Sequence, residues 1–353
     1  MKSHLTASQI RTLDPDDMLG KTLELGRQIE TGIALGKDFA AKTELTLPPQ
    51  LDWFGLGGSA IVGDLIEGLG LSPVPLHVWR QPEITLEYPM HPRVVYSYSG
   101  KTREALHAFN EGLALKEMWL SVSSGGELRV KASKMSIPHL MLPEGYPPRA
   151  AVGFGLGAFM ALFAELSLEG LPWSKEDTKI LTEDAKRYKS LNPAENPALH
   201  LAESLAGRTP VLYAADPIMG PSLVRRACAQ FAENSKRWSH AAVLPEMAHN
   251  EVEAFPVLAK LAPPPYVLFV GAWLFANFPD PCPPIKTLLK ELKIERKHIE
   301  FASNAPFRLS RVLEGLRTML FLDAVSVFLG LISGENPTEI PTITKMKSLQ
   351  KKA

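Results

Sequence analysis

The sequence predicts an α/β protein with two domains, each a parallel sheet flanked by helices. Two observations support this fold class. Short apolar runs alternate with segments of helical spacing from about residue 51, and the alternation repeats from about residue 199 after a polar, proline-containing stretch. Strands that read as continuous apolar runs are typical of parallel sheets covered on both faces, and the intervening helices supply that cover.

The predicted elements follow these runs in order. In the first half, strands are predicted over 51–56, 93–98, 117–122 and 137–142, with helices over 60–68, 102–115 and 149–168. In the second half, strands are predicted over 209–215, 240–244, 266–272 and 297–301, with helices over 221–236, 251–261, 286–292 and 309–334. The expected domains are a helical N-terminal extension (1–48), a first domain (49–170), a linker (171–198) and a second domain with a C-terminal tail (199–353).

The composition is that of a soluble globular protein, with 45% hydrophobic and 22% charged residues among 353. Lys plus Arg and Asp plus Glu both number 38, so no nucleic-acid partner is expected. The start of the chain lacks the apolar core of a secretory signal. The longest uncharged apolar stretch, between Arg149 and Glu165, is shorter than the roughly 18 residues of a membrane span, so no membrane segment is expected. Cys228 and Cys282 have no metal-ligand spacing, and a reducing cytoplasm is the expected compartment.

A glycine loop, residues 55–60, connects the first predicted strand to its helix. Glycines at this position let backbone N–H groups approach an anion, and the helix N-terminus adds a favourable partial charge. With Ala60 at the third glycine position, the loop also fits a variant of the dinucleotide fingerprint, for which Glu83 is the acidic candidate about twenty positions on. A tight strand-to-helix turn without a ligand is the structural alternative.

A hydroxyl-rich segment, the serine loop, follows the strand predicted over 93–98; it reads Ser97-Tyr98-Ser99-Gly100-Lys101-Thr102. Hydroxyls and backbone amides in such a turn can surround a phosphate with little cationic charge. The glycine spacing of a Walker loop is absent. A serine-rich helix N-cap is the alternative.

Other segments carry groups suited to acid–base chemistry. A carboxylate and His249 can act as base and ring-opening acid, and Glu233, Glu246 and Glu251 all remain candidates for the base. His249 has a structural alternative as a satisfied histidine. Arg149 follows a predicted strand near the sheet edge where ligands bind and can stabilise an anion; an exposed surface arginine is its alternative.

In their order along the chain, these segments resemble the bifunctional phosphoglucose/phosphomannose isomerases, a family built from two sugar isomerase (SIS) domains. The resembling segments are 55–64, 97–104, 147–151, 233–236, 244–251 and 336–347. The resemblance covers nearly the whole chain from about residue 50. It implies two SIS-type subdomains and an aldose–ketose isomerase that interconverts glucose 6-phosphate, and mannose 6-phosphate, with fructose 6-phosphate through a cis-enediolate.

The resemblance also implies site residues. Phosphate and sugar binding fall to Gly58, Ser59, Ser97, Ser99 and Thr102. No cofactor and no metal is required for this chemistry, since one carboxylate base and one cation facing the developing oxyanion suffice.

The implied catalytic set is Glu233 as the base between C1 and C2, Arg149 as the cation facing the enediolate, and His249 and Lys347 for ring opening. His249 is implied to come from the partner subunit of a homodimer. Lys345 lies two residues from Lys347 and is the alternative for the functional lysine.

Four positions depart from the family's usual residues, namely Lys101, Ala232, Ala248 and Asn336. They remove no proposed catalytic group but leave the sugar preference open. Three alternatives to the isomerase remain: a SIS-domain protein that senses a phosphosugar, an isomerase of another phosphosugar, and a nicotinamide oxidoreductase that uses the glycine loop.

Overall fold

The computed structural model describes residues 5–81, 91–301 and 307–350. The strands are β1 (Leu51–Phe54), β2 (Leu76–Trp79), β3 (Arg93–Tyr96), β4 (Met118–Ser123), β5 (His139–Met141), β6 (Pro210–Ala214), β7 (His240–Val243), β8 (Tyr266–Val270) and β9 (Arg296–Ile299). The helices are α1 (Ala7–Leu13), α2 (Met18–Leu23), α3 (Leu25–Lys42), α4 (Gly58–Gly68), α5 (Arg103–Ala114), α6 (Gly126–Lys134), α7 (Val152–Ser167), α8 (Lys175–Tyr188), α9 (Pro197–Leu205), α10 (Gly220–Ser235), α11 (Phe255–Leu258), α12 (Cys282–Glu291), α13 (Phe307–Ile332) and α14 (Pro341–Gln350). Short 3₁₀ turns cover Pro148–Ala150, Glu246–His249 and Glu251–Ala254.

The chain divides into two compact units. The first-sheet unit comprises Glu24–Glu183 and Phe301–Arg317, and the second-sheet unit comprises Met1–Leu23, Asp184–Glu300 and Thr318–Ala353. The predicted α/β class with parallel sheets flanked by helices is confirmed. The unit bounds differ from the predicted domains, since α3 lies in the first-sheet unit and the predicted linker, 171–198, contains α8.

The first-sheet unit has a parallel sheet of strand order β2-β1-β3-β4-β5. Successive side chains of a strand point to opposite faces, and β1 shows this clearly. Trp53 packs on Phe159 of α7, with ring centroids 4.7 Å apart. Phe54 belongs to the cluster on the other face, with Phe109 of α5 and Leu128 of α6. Helices therefore cover both faces, as continuous apolar strands require.

Helix α3 packs directly against α7 through glycines. A Cβ added at Gly36 would lie 2.1 Å from Ala158 O, and one at Gly157 would lie 2.1 Å from Ile29 O. These distances are far below van der Waals contact, so only glycine permits this separation of the two backbones. Residues 25–42 are therefore an integral layer of the first-sheet unit.

The second-sheet unit has a parallel sheet of strand order β7-β6-β8-β9. On one side of it, Phe255 and Cys282 pack with the apolar residues of β6 and β8. Elsewhere in the unit, α10 contacts α13 through a buried ion pair, in which Arg226 Nε and Nη2 donate to Asp323 at 3.1 and 2.6 Å. Burial raises the pKa of the Asp323 carboxyl, although the Arg226 charge opposes the shift.

One helix in the described part of the chain is long and apolar enough to cross a membrane by length and composition. It covers Arg311–Ile332, and 89% of its most apolar window is buried within the protein. This burial and the ion pair of Asp323 are typical of a core helix rather than of a lipid-facing one.

Candidate functional site

The sequence-predicted site residues fall into the two units. Gly58, Ser59, Ser97, Ser99, Thr102 and Arg149 lie in the first-sheet unit, and Glu233, His249 and Lys347 lie in the second-sheet unit. In the first-sheet unit they follow the carboxyl ends of β1, β3 and β5, and His249 follows β7, at the sheet edge where open α/β sheets bind ligands. Glu233 lies in the last turn of α10, and Lys347 lies on α14, which follows α13. Glu83, the acidic candidate of the dinucleotide fingerprint, lies outside the described residues.

The glycine loop links β1 to α4 and contacts the serine loop. Gly57 is the N-cap of α4 with φ +52°, in the region that favours glycine. The next serine, Ser59, is buried; its Oγ accepts from Tyr98 N at 3.1 Å, and its carbonyl accepts from Trp53 Nε1 at 3.0 Å. The glycine loop and the serine loop are therefore joined by a direct hydrogen bond.

The serine loop links β3 to α5. Ser97 Oγ donates to Thr102 Oγ1 at 3.1 Å, and the exposed Ser99 Oγ accepts from Lys101 N at 3.3 Å. Thr102 occupies the N-cap position of α5, yet its side chain makes no capping hydrogen bond. Ser97 and Thr102 thus bond each other, and the Thr102 side chain does not close the helix end, which argues against the N-cap alternative.

A second loop, which is not among the predicted site segments, braces the serine loop. This bracing loop, residues 123–126, runs from the last residue of β4 to the first residue of α6. Ser124 Oγ donates to Tyr98 O at 2.8 Å, and Leu128 N donates to Gly100 O at 2.9 Å. A Cβ at Gly100 would lie 1.9 Å from Gly125 O. The run Ser-Ser-Gly-Gly after a predicted strand was the sequence signal for this loop.

His139, the first residue of β5, lies between the side chains of Ser121 and Ser123 on the neighbouring strand β4. Ser121 Oγ is 2.8 Å from Nδ1 and Ser123 Oγ is 3.1 Å from Nε2, while Ser123 Oγ donates its proton to Gly125 O at 2.7 Å. Because the Ser123 hydroxyl donates its own proton to Gly125 O, it accepts a hydrogen bond from Nε2–H of His139. The other ring nitrogen, Nδ1, then accepts from the Ser121 hydroxyl. Desolvation, and secondarily the charge of Arg129, lowers the pKa of His139 to about 4. The imidazole is therefore neutral at physiological pH.

Arg149 is buried, with 4% of its surface exposed, so the alternative of an exposed surface arginine is wrong. It lies in the 3₁₀ turn Pro148–Ala150, immediately before α7. This turn abuts the glycine loop, because a Cβ at Gly58 would lie 3.0 Å from Pro148 O. This 3₁₀ turn, Pro148–Ala150, is called the arginine turn below. The glycine loop, the serine loop and the arginine turn therefore form one contiguous group in the first-sheet unit.

In the second-sheet unit, Glu233 lies near the end of α10 and lines a pocket. The pocket has a volume of about 390 Å³ and is lined by Ala232, Glu233, Lys236, Arg237, Trp238, Glu339, Ile340, Pro341, Thr342 and Ile343. This volume lies in the range of small-molecule sites. The pocket is bounded by the end of α10 on one side and by the C-terminal segment on the other.

Lys236 connects those two sides, a role that the sequence did not reveal. It is the C-cap of α10 with φ +51°. Its Nζ donates to three carbonyl oxygens, those of Glu233 at 2.8 Å, Asn336 at 2.6 Å and Glu339 at 2.8 Å. One ammonium group therefore holds the C-terminal segment against the helix that carries Glu233.

The three candidates for the base differ in their surroundings. Glu251 is engaged with His240, whose Nε2 lies 2.9 Å from Oε1 and 3.0 Å from Oε2. It also bonds Tyr213, and burial together with this carboxylate raises the pKa of that phenol. Glu246 is exposed in the turn Glu246–His249. Of the three, Glu233 alone lines the described pocket.

His249 and Lys347 are both exposed. His249 ends the 3₁₀ turn that follows β7, and Lys347 lies on α14, where Lys345 is exposed as well. Neither His249 nor Lys347 lines the pocket of Glu233. Across residues 5–81, 91–301 and 307–350, no group of three or more His, Cys, Asp or Glu is arranged to hold a metal ion.

Solved structures with this fold include several phosphosugar enzymes. A hypothetical protein from Thermus thermophilus superposes with a TM-score of 0.72 at 15% identity, covering 95% of this chain and 90% of that one. A glucose-6-phosphate isomerase from Chlamydia trachomatis superposes with a TM-score of 0.62 at 14% identity, covering 92% and 72%. At these identities the likeness establishes the fold alone.

Sequence comparison identifies closer relatives. Residues 194–349 match the bacterial phospho-glucose isomerase C-terminal SIS domain. A bifunctional phosphoglucose/phosphomannose isomerase from Caldicellulosiruptor bescii is 30% identical over 67% of this chain and 71% of its own length. One from Aquifex aeolicus is 26% identical over 88% and 92%. A D-glucosamine-6-phosphate 4-epimerase from Sulfolobus acidocaldarius is 27% identical over 58% and 64%. The chain belongs to the family of the bifunctional phosphoglucose/phosphomannose isomerases.

Proposed function

We propose that the protein is an aldose–ketose isomerase that interconverts glucose 6-phosphate, and mannose 6-phosphate, with fructose 6-phosphate. Family membership carries this proposal. The geometry supports it, because a braced hydroxyl loop and a buried arginine lie in the first-sheet unit and a pocket-lining carboxylate lies in the second-sheet unit. The reaction needs these groups: an anchor for the phosphate, a cation for the developing oxyanion and a base.

In the proposed mechanism, the Ser97, Ser99 and Thr102 hydroxyls hold the phosphate, with Gly58 and Ser59 beside the sugar. Hydroxyls and backbone amides suit a phosphate that must be bound and released, because they form directional hydrogen bonds with modest charge.

Glu233 takes the proton from C2 of the aldose, which generates a cis-enediolate, and returns it to C1 to give the ketose. The hydroxyl proton moves from O2 to O1, so atoms and charge balance without a redox partner. Arg149 stabilises the enediolate oxygen, and burial strengthens this interaction because solvent screens it less. His249 and Lys347 open the sugar ring.

We further propose a cytoplasmic homodimer in which His249 reaches the site of the partner subunit. The exposed position of His249 at the end of its 3₁₀ turn is compatible with this role. Mixing a Glu233→Gln subunit with a His249→Ala subunit tests the idea. Restored activity in the mixture supports sharing, and its absence in a mixture shown to contain mixed dimers contradicts it.

The direct test of the isomerase proposal is to incubate the protein with fructose 6-phosphate and a metal chelator and to follow glucose and mannose 6-phosphates by NMR. Either product supports the proposal, and their ratio gives the sugar preference. Glu233→Gln should abolish turnover and leave sugar-phosphate binding nearly intact, whereas the exposed control Glu246→Gln should stay active. Wild-type turnover in Glu233→Gln would remove this residue from the role of base.

For Arg149→Ala we expect a loss of about 3 kcal/mol of transition-state stabilisation, roughly a hundredfold in kcat, by analogy with deleting one oxyanion donor. An unchanged kcat would make the arginine structural.

A second candidate function is action on an amino sugar phosphate. It is favoured by the Sulfolobus relative, whose name specifies epimerisation at C4 of glucosamine 6-phosphate. A panel of phosphosugars separates the two. A third possibility, a sensor, predicts thermal stabilisation by phosphosugars with no turnover of any of them.

A further inference from the structure

Helix α3 holds the arginine turn through one buried side chain, Gln28. Its Nε2 donates to Ala150 O at 2.7 Å, and its Oε1 accepts from Gly153 N at 3.2 Å. A carbonyl can only accept and a backbone N–H can only donate. These two partners therefore fix which end of the Gln28 side-chain amide is oxygen and which is nitrogen. Ala150 ends the 3₁₀ turn that carries Arg149, and Gly153 lies in the first turn of α7.

The contact is buried and close. Gln28 is 2% exposed, so water is excluded from replacing either hydrogen bond. A Cβ at Gly153 would lie 2.7 Å from Gln28 Cβ, which means that glycine is required for α3 to come this near to α7. A buried carbonyl or N–H that loses its partner costs about 1–3 kcal/mol, so the turn is strongly favoured in its observed position.

The segment preceding Arg149 is tied to the same end of α3. Tyr146 Oη donates to Glu24 Oε2 at 2.6 Å, and Arg27 donates both to Glu24, at 2.5 Å, and to the Tyr146 hydroxyl. The Tyr146 ring packs edge-on against Phe154, with centroids 5.2 Å apart. The start of α3 therefore contacts the chain both before Arg149, at Tyr146, and after it, at Ala150 and Gly153.

We propose that Gln28 is a positioning residue for Arg149, and that the role of α3 is to set where the guanidinium meets the enediolate. This rests on the proposed function. A cation contributes to an oxyanion only when its donors are held at hydrogen-bond distance from the position that the charge will occupy, and a displacement of about 1 Å costs roughly a hundredfold.

The test compares Gln28→Met with Glu30→Met. Methionine matches the length of glutamine and removes both hydrogen bonds, and Glu30 is an exposed position on the same helix. For Gln28→Met we expect kcat to fall about 10- to 100-fold, with the KM for fructose 6-phosphate within about threefold, because the lost stabilisation belongs to the transition state. Glu30→Met should behave as wild type. If both variants kept wild-type kcat, the proposal would be overturned.

A double-mutant cycle separates positioning from general damage. If Gln28 acts through Arg149, Gln28→Met should cost nothing more in an Arg149→Ala background, whereas independent roles give additive losses. Additive losses would contradict the proposal. Should Gln28→Met not fold, Gln28→Asn serves in its place, because its amide stays neutral but is one methylene too short to make both hydrogen bonds.

Hydrogen exchange distinguishes failure of this proposal from failure of the proposed function. The amides of residues 150–154 should exchange faster in Gln28→Met than in Glu30→Met, whatever the substrate is. A wild type that isomerises no phosphosugar, with faster exchange in Gln28→Met, would refute the isomerase and leave the positioning contact standing. Unchanged exchange would refute the positioning contact itself.

Discussion

Replacing Gly100 with alanine places a methyl group where the serine loop and the bracing loop touch. Gly100 has φ +62°, and an added Cβ would lie 1.9 Å from Gly125 O. The backbone conformation costs an L-residue about 1–2 kcal/mol. The loops must also separate, which weakens the hydrogen bonds from Leu128 N to Gly100 O and from Ser124 Oγ to Tyr98 O, each worth about 1 kcal/mol. The expected loss of unfolding free energy is therefore about 3–4 kcal/mol.

Gly70→Ala is the matched control. Gly70 has φ +65° and no atom within 4 Å of an added Cβ, so it carries only the backbone cost of about 1–2 kcal/mol. Urea unfolding measures both variants. In Gly100→Ala the KM for fructose 6-phosphate should also rise about tenfold, since a shift of even one hydroxyl removes a charge-assisted hydrogen bond worth about 1.5 kcal/mol or more. Equal stability losses in the two variants, with unchanged KM, would refute the reasoning.

Three further predictions concern Asp323, His139 and Lys236. Asp323→Ala removes the carboxylate to which the buried Arg226 donates and should cost about 3–5 kcal/mol in urea unfolding; a loss below about 1 kcal/mol would contradict this expectation. His139 has its pKa lowered from 6.5 to about 4, so unfolding free energy should fall as pH drops from about 6.5 to about 4, by about 1–2 kcal/mol for this partly exposed ring. His139→Gln should abolish that part of the pH dependence. Lys236→Met should speed amide exchange in residues 336–344 and lower kcat; unchanged exchange would show that the three carbonyl contacts do not hold the segment.

Sequence patterns predicted the central strands well because they are buried on both faces. Strands β1, β3, β6 and β8 read as short apolar runs, and in the structure every residue in them is buried. Strand β2 escaped prediction for the converse reason. It lies at the edge of its sheet, and only Leu76 of its four residues is buried, so it has no continuous apolar run.

The sequence by itself also determined the local features, namely glycines, hydroxyls and carboxylates, from which the phosphate-binding and acid–base segments were predicted. Only the tertiary structure decided that Arg149 is buried, that Gln28 holds its turn and that Lys236 joins α10 to the C-terminal segment. Those contacts join residues 103 and 122 positions apart. Periodicity reports only which face a residue occupies, whereas the partner on that face depends on how distant elements pack.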